Sequence, residues 1–348
     1  MTMTTARRLA GCLFFLSLAL CLWSESWRLT VLHTNDLHGQ MLPFNYPGAV
    51  LSQAARQDAG GLARRATAIA RIRREVTDHP VALVEAGDIF TRGPWHTRFY
   101  GEPEVEAMNL MGYEMMTIGN NEFKAKNGTE SQAIMLSLLK RSKFPWLAAN
   151  LTVGDTGQPV EGVKPYVVKT YGAMRVGFLG LTAPRAQEYS QVKGWTIGDP
   201  IAAAKKWAPV ARKECDILIA LTHIGDVLDR QLAAQVTGID AIVGGDSHTF
   251  LFQPVKVKNP DGIEVPIAQA GEMGILLGRL DLTFEQQKTG WRLTACSGQL
   301  LPIDKQYIDA PDIKALLDRY LAPPAQPQQQ KIPVTRIPML LPRALSAC

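Results

Sequence analysis

Asp36 and His38 stand two residues apart at the end of an apolar run, within Leu29-Thr-Val-Leu-His-Thr-Asn-Asp-Leu-His-Gly39. Side chains two apart on an extended segment point the same way. A carboxylate and an imidazole then converge as half of a metal site. Taken singly, such a pair is an ordinary turn. The chain repeats the pattern, however. Asp88 follows Gly87, Asn120 opens Asn-Asn-Glu-Phe123, His223 follows Thr222, and Asp246 and His248 sit in Gly244-Gly-Asp-Ser-His-Thr249. Each has a plainer reading: Asp88 and Asn120 as turn formers after glycine, His223 as a core histidine. Their joint occurrence after strand-like runs favours the ligand reading. His33, His79 and His96 stand outside the set, and His79 before Pro80 reads as a surface residue. Oxygen and imidazole donors without thiolate suit Zn, Mn, Fe or Mg. Two divalent metal ions about 3.5–4 Å apart would share a carboxylate, clamp a phosphoryl group and ionise a water. Asp88 is the natural bridge.

Strands and helices alternate so as to place these residues. The spacing predicts strands over 29–32, 81–86, 115–118, 146–149, 216–221 and 239–243, with a hairpin of 166–171 and 174–181 across Gly172-Ala173. Helices are expected over 60–76, 103–111, 131–139, 200–213, 229–235 and 312–321, and a loop around Pro94, Trp95 and His96. A strand-rich segment covers 254–257, 265–270, 277–283 and 291–296. The order gives an α/β core, and the added strands imply two packed sheets. Sites in such folds lie beyond the carboxyl ends of strands, where the candidate ligands fall.

The 348 residues are 46% hydrophobic and 20% charged, as in a globular protein, with a net charge of +5. No Lys/Arg stripe with interleaved aromatics is present, which argues against nucleic-acid binding. Residues 1–26 read as a signal peptide: Arg7 and Arg8 precede an apolar run from Leu9 to Trp23, and Ser24-Glu-Ser26 resembles a cleavage site. Cys12 and Cys21 each fit a lipid-attachment pattern imperfectly. The expectation is an exported, periplasmic protein, on a membrane only if the amino-terminal segment is retained or lipidated. Of the remaining cysteines, Cys215 reads as a structural thiol, and a Cys215–Cys296 disulfide is open but not required by spacing. The triplets Asn127-Gly-Thr129 and Asn150-Leu-Thr152 read as chance matches to a glycosylation acceptor. A main domain is expected over 27–310, followed by a terminal helix and a Pro/Gln-rich tail over 311–348.

The motifs Val31-Leu-His-Thr-Asn-Asp-Leu-His-Gly39, Gly60-Gly-Leu-Ala-Arg64, Gly87-Asp88, Gly119-Asn-Asn-Glu-Phe123, Ala149-Asn150, Gly177-Phe-Leu-Gly-Leu181 and Gly274 to Gly278 occur in one order. Over about Arg28 to Asp304 the chain resembles the calcineurin-type metallophosphoesterases. It is most similar to the amino-terminal domain of the secreted 5′-nucleotidase/UDP-sugar hydrolase family. The resemblance implies a four-layer α/β/β/α sandwich and attack of a metal-bound hydroxide on phosphorus. It implies a first metal held by Asp36, His38 and His248, a bridging Asp88, and a second metal held by Asn120, His223 and Asp246. The implied partner is a small phosphate ester such as a nucleotide.

Three departures from the family pattern bear on that implication. The family carries a His and an Asp where this chain has Asn121 and Lys124, so both members of its catalytic dyad are replaced. The family's Gly-Gly-His is Gly244-Gly-Asp246 here, and the added charge favours harder cations such as Mn or Mg. The family's carboxy-terminal nucleotide-binding domain has no counterpart. The leading reading is an exported metal-dependent phosphoesterase with relaxed specificity or reduced turnover. The alternatives are a degenerate member that binds metal or a phosphorylated ligand, and a sulfur-ester hydrolase on the same fold.

Overall fold

The apolar runs form the strands that their spacing predicts, and their two faces sort into different cores. The computed structural model describes residues 25–90, 93–125, 129–189 and 192–322. Most of the segment expected to be a signal peptide, Asn127 and the Pro/Gln-rich tail lie outside them. In chain order the elements are β1 (Ser26–Thr34), α1 (Gln53–Arg56), α2 (Leu62–Glu75), β2 (Val81–Glu85), α3 (Gly93–Phe99), α4 (Glu102–Met111), β3 (Met115–Thr117), α5 (Thr129–Arg141), β4 (Trp146–Leu147), β5 (Leu151–Val153), β6 (Val163–Lys164), β7 (Tyr166–Tyr171) and β8 (Met174–Leu181). Then follow β9 (Trp195–Ile197), α6 (Pro200–Arg212), β10 (Ile217–Thr222), α7 (Asp226–Gln235), β11 (Ala241–Val243), β12 (Val255–Lys258), β13 (Glu264–Ala268), β14 (Leu276–Gln287), β15 (Gly290–Pro302) and α8 (Pro311–Leu321).

A seven-stranded sheet runs β15-β14-β1-β2-β3-β4-β6, and a six-stranded sheet runs β12-β13-β11-β10-β8-β7. The segments β1, β2, β3, β4 and β6 are mutually parallel, as are β8, β10, β11 and β13. The edges β14–β15, β12 and β7 are antiparallel. Period-2 alternation sends alternate side chains to opposite faces. Leu29, Val31, Ala82 and Val84 join Phe178, Ile217, Ile219 and Leu221 in one cluster shared by the two sheets. Leu32 and Leu83, one residue out of phase, pack with Ile69 of α2, Met108 of α4 and Leu138 of α5. Leu218 and Ala220 of β10 pack with Ala204 and Ala208 of α6 and Leu232 of α7.

The structure departs from the sequence reading in several places. Residues around Pro94 form the helix α3 where a loop was expected. Proline near the start of a helix fits, because the first-turn N–H groups have no intrahelical partner anyway. α7 begins at Asp226, three residues early, and β5 and β9 form a small sheet that periodicity does not reveal. Cys215 and Cys296 are free thiols, Cys215 just before β10 and Cys296 within β15. His79 is not a surface residue: it is largely buried, between Thr30 and Asp78. Ser26 already pairs with Glu285 in β1. α8 buries Ile313, Leu316 and Leu317 in the same cluster as α2 and α4, so the packed core extends past the expected boundary at 310. Asn150 is buried, its amide bonded to Thr182 and Gly198, which supports the chance reading of its triplet.

Candidate metal centre

All seven expected ligands converge on one place, from loops after five strands of two sheets. Asp36 and His38 follow β1, Asp88 follows β2 and Asn120 follows β3, all in the seven-stranded sheet. His223 follows β10, and Asp246 and His248 follow β11, in the six-stranded sheet. The backbone is not extended at Asp36 and His38, as the sequence reading had it. Both are left-handed, with φ of 51° and 52°. Asp88, Asp246 and His248 share that conformation, at 61°, 81° and 54°. Non-glycine residues in this region are strained and cluster at functional sites. Beyond β1 and β2 the parallel hydrogen-bond ladder continues through these strained residues: Asp36 N–H donates to Gly87 O at 2.9 Å and His38 N–H to Asp88 O at 3.0 Å.

Glu122 and Gly119 hold the Asp88 loop. The buried Glu122 carboxylate accepts from the N–H groups of Asp88, Ile89 and Gly119 at 3.0, 2.9 and 2.6 Å. A Cβ on Gly119 would stand 2.2 Å from Asp88 Oδ1, so only glycine permits this approach. Asn121 then fixes the Asp88 carboxylate twice: its N–H donates to Oδ1 at 2.7 Å and its amide to Oδ2 at 2.5 Å. The same amide lies 3.4 Å from His38 Nδ1. Lys124 is turned elsewhere: its ammonium rests over the Tyr189 ring, 4.2 Å from the centroid.

The donor atoms meet in two groups. His38 Nε2 and His248 Nε2 approach to 3.0 Å, and lie 3.7 and 3.3 Å from Asp36 Oδ1. His223 Nε2 lies 3.3 Å from Asp88 Oδ1, 3.4 Å from Asp246 Oδ1, 3.3 Å from Asn120 Oδ1 and 3.9 Å from Asp36 Oδ1. Asp36 thus belongs to both groups. His223 Nδ1–H donates to Ala86 O at 2.6 Å, which aims Nε2 at the cluster, the usual backing of a ligating imidazole. Asp36 Oδ2 is spoken for by Asn35 and by Asp246 N–H, whereas its buried Oδ1 has no hydrogen-bond partner among the described residues.

The electrostatics tell the same story. Burial would raise Asp88, yet the charges of His223 and His38 bring it down to about 2. Burial would lower His223, yet Asp88 and Asp36 hold it well above its ordinary value. Contact with Asp36 and Glu272 raises His248 to about 9. The carboxylates draw positive charge into a buried space. An orphaned carboxylate oxygen, converging Nε2 atoms and an all-oxygen-and-nitrogen donor set fit divalent cations.

Sequence reasoning missed Arg185, Tyr189, Glu122 and Glu272. Arg185 pairs with Asp246, Tyr189 hydroxyl accepts from the Asn120 amide at 3.3 Å, and Glu272 lies 3.0 Å from His248 Nδ1. Arg185 follows the end of β8, so the rule that found the other residues would have found it too.

Among curated proteins the chain is 31% identical to bovine 5′-nucleotidase (Bos taurus) over 88% of its length, spanning 55% of that protein. The chain therefore spans about half the length of the curated relatives it matches. Among solved structures it superposes on a 5′-nucleotidase precursor from Thermus thermophilus with a TM-score of 0.73 and 28% identity, over 84% of this chain and 58% of that one. The sulfate thiohydrolase SoxB of the same organism gives a TM-score of 0.73 at 22% identity, over 85% and 60% of the two chains, a likeness of fold alone. The family model described as calcineurin-like phosphoesterase matches residues 29–250. That span holds every expected ligand from Asp36 to His248, and the chain belongs to the calcineurin-like phosphoesterase family.

Proposed function

We propose that this protein is a metal-dependent phosphoesterase of 5′-nucleotidase type, acting on small phosphate esters such as nucleotides. The observation that carries the reading is the convergence of Asp36, His38, Asp88, His223 and His248 in two adjacent groups whose donor atoms lie within 4.8 Å of one another. Asp36, His38 and His248 would hold one cation, Asn120, His223 and Asp246 a second, with Asp88 between them. When bound, divalent cations supply positive charge to phosphoryl oxygens and lower the pKa of water. The chain's own residues do the rest. Glu122 and Asn121 fix Asp88, Ala86 orients His223, and Asn35 holds Asp36.

The family dyad positions carry Asn121 and Lys124. Asn121 serves as a positioning group for Asp88, which supports turnover without an imidazole there, at a rate lowered by the loss of a positioned acid, typically about 10²–10⁴. We also read the fold as the four-layer α/β/β/α order, supported by the three apolar clusters. Export is proposed from the basic and apolar amino-terminal segment; among the described residues no helix is long and apolar enough to cross a membrane.

The test is steady-state hydrolysis of p-nitrophenyl phosphate, bis-p-nitrophenyl phosphate and 5′-AMP with Mn²⁺ present. Activity that requires the metal and vanishes in Asp88→Asn is the expected result. Metal binding without turnover, not recovered by the Asn121→His/Lys124→Asp double variant, would replace this reading with a binding role. Release of sulfate from a thiosulfate ester without phosphatase activity would move it to sulfur esters.

A further inference from the structure

Arg185 lies in the 3₁₀ turn Pro184–Glu188, just beyond the carboxyl end of β8. Its guanidinium forks onto the metal centre. Nη1 donates to Asp246 Oδ2 at 2.7 Å, Nη2 lies 2.5 Å from Asp246 Oδ1, and Nη2 donates to Asn120 Oδ1 at 2.9 Å. Asn120 is buried, the Asp246 side chain is 7% exposed, and both reach His223 Nε2. The Arg185 side chain also hydrogen-bonds Tyr189, and at 52% exposure it keeps part of its surface open to solvent while fixed to the centre.

The neighbouring cation is placed differently. Lys124 rests on the Tyr189 ring, and the Tyr189 hydroxyl accepts from the Asn120 amide. Among the described residues, Arg185 is therefore the arginine or lysine in direct contact with the expected ligands. A planar, permanently charged fork matches phosphate geometry, which a lysine ammonium does not. An ion pair whose guanidinium is half exposed would by itself stabilise little.

We propose that Arg185 is a phosphate-holding residue of this centre. Seated by Asp246 and Asn120, it receives the non-bridging oxygens of the bound phosphoryl group and retains the product phosphate. It supplies in this chain a cation that faces the substrate, where the family dyad is replaced. The proposal rests on the phosphoesterase reading.

The test titrates inorganic phosphate into the Mn²⁺-loaded full chain by calorimetry, for wild type, Arg185→Gln and Arg185→Lys. Manganese per chain is measured on the same samples, and KM and kcat are read with p-nitrophenyl phosphate. Phosphate affinity should fall about 10–100-fold in R185Q, as expected for losing charge-assisted hydrogen bonds, with metal content unchanged and KM raised. R185K should restore only part of it. Phosphate affinity in R185Q within twofold of wild type, or a loss that tracks loss of manganese, would overturn the assignment, as would a wild type that binds no phosphate. Arginine-dependent phosphate binding without ester hydrolysis would uphold Arg185 and sink the phosphoesterase reading. Hydrolysis with arginine-independent phosphate binding would sink Arg185 alone.

Discussion

At the scale of residues, the centre depends on groups that ligate nothing. Asn121 grips both oxygens of Asp88. Outer partners of this kind are commonly worth about 10–100-fold in metal affinity or activity. Asn121→Ala should therefore weaken Mn²⁺ binding by about that factor, measured by calorimetry, while the circular dichroism spectrum stays unchanged. His33 shows the opposite case, a histidine with no part in the centre. Burial holds it down to about 4. Its ring lies so close to Gly278 that a Cβ there would stand 2.2 Å from Nε2. Gly278→Ala should lower stability by about 1–3 kcal/mol, read from chemical denaturation, because the ring has no free volume to enter. The residue types of the candidate ligands were legible in the sequence. Their left-handed backbone was not, because φ at Asp36, His38 and Asp88 is imposed by the loops they close.

Elements carry the next level of constraint. Strand ends deliver the ligands, and helix α4 shows what burial of a polar group inside an element does. Glu104 in its first turn is fully buried, neither oxygen bonds another described residue, and desolvation pushes its carboxyl up to about 8. The unfolded chain loses this proton near its ordinary value of 4.5, while the folded protein keeps it until about 8. The native state then binds more protons than the unfolded one, so stability falls as pH rises through that window. Glu104→Gln should flatten the slope, with Tm about 2 °C or more above wild type at pH 8 and no gain at pH 4.5, by scanning calorimetry. Strands and long helices were read correctly because their periods of 2 and 3.6 are written in the apolar pattern. α3 and β9 were not, because short segments take their form from the neighbours they pack on.

Across the whole molecule, the centre spans the seam between two sheets. Asp36, Asp88 and Asn120 come from one, and His223, Asp246 and His248 from the other. A cation bound by both sides ties the sheets together. Saturating Mn²⁺ should raise Tm, by about 2.7 kcal/mol of stability at a hundredfold excess over Kd, and EDTA should reverse it. In Asp88→Asn the gain should shrink. Below the centre, a shared apolar cluster packs the two sheets against each other. Phe178, fully buried in that cluster, should cost about 3–5 kcal/mol when replaced by alanine, measured by urea unfolding.

Sequence alone determined which residues are candidate ligands and which strand each one follows, because residue types and apolar runs are local properties. It also determined the α/β order, since the alternation of strands and helices leaves few ways to bury both faces of a sheet. Only the tertiary structure decided that Asp36 stands in both donor groups, that Asn121 grips Asp88 while Lys124 rests on Tyr189, and that Arg185 meets Asp246 and Asn120. Those contacts join residues as far apart in sequence as Asp36 and His248. They exist because two sheets pack with the carboxyl ends of β1, β2 and β3 against those of β8, β10 and β11. No local pattern in a chain encodes a distance across that seam.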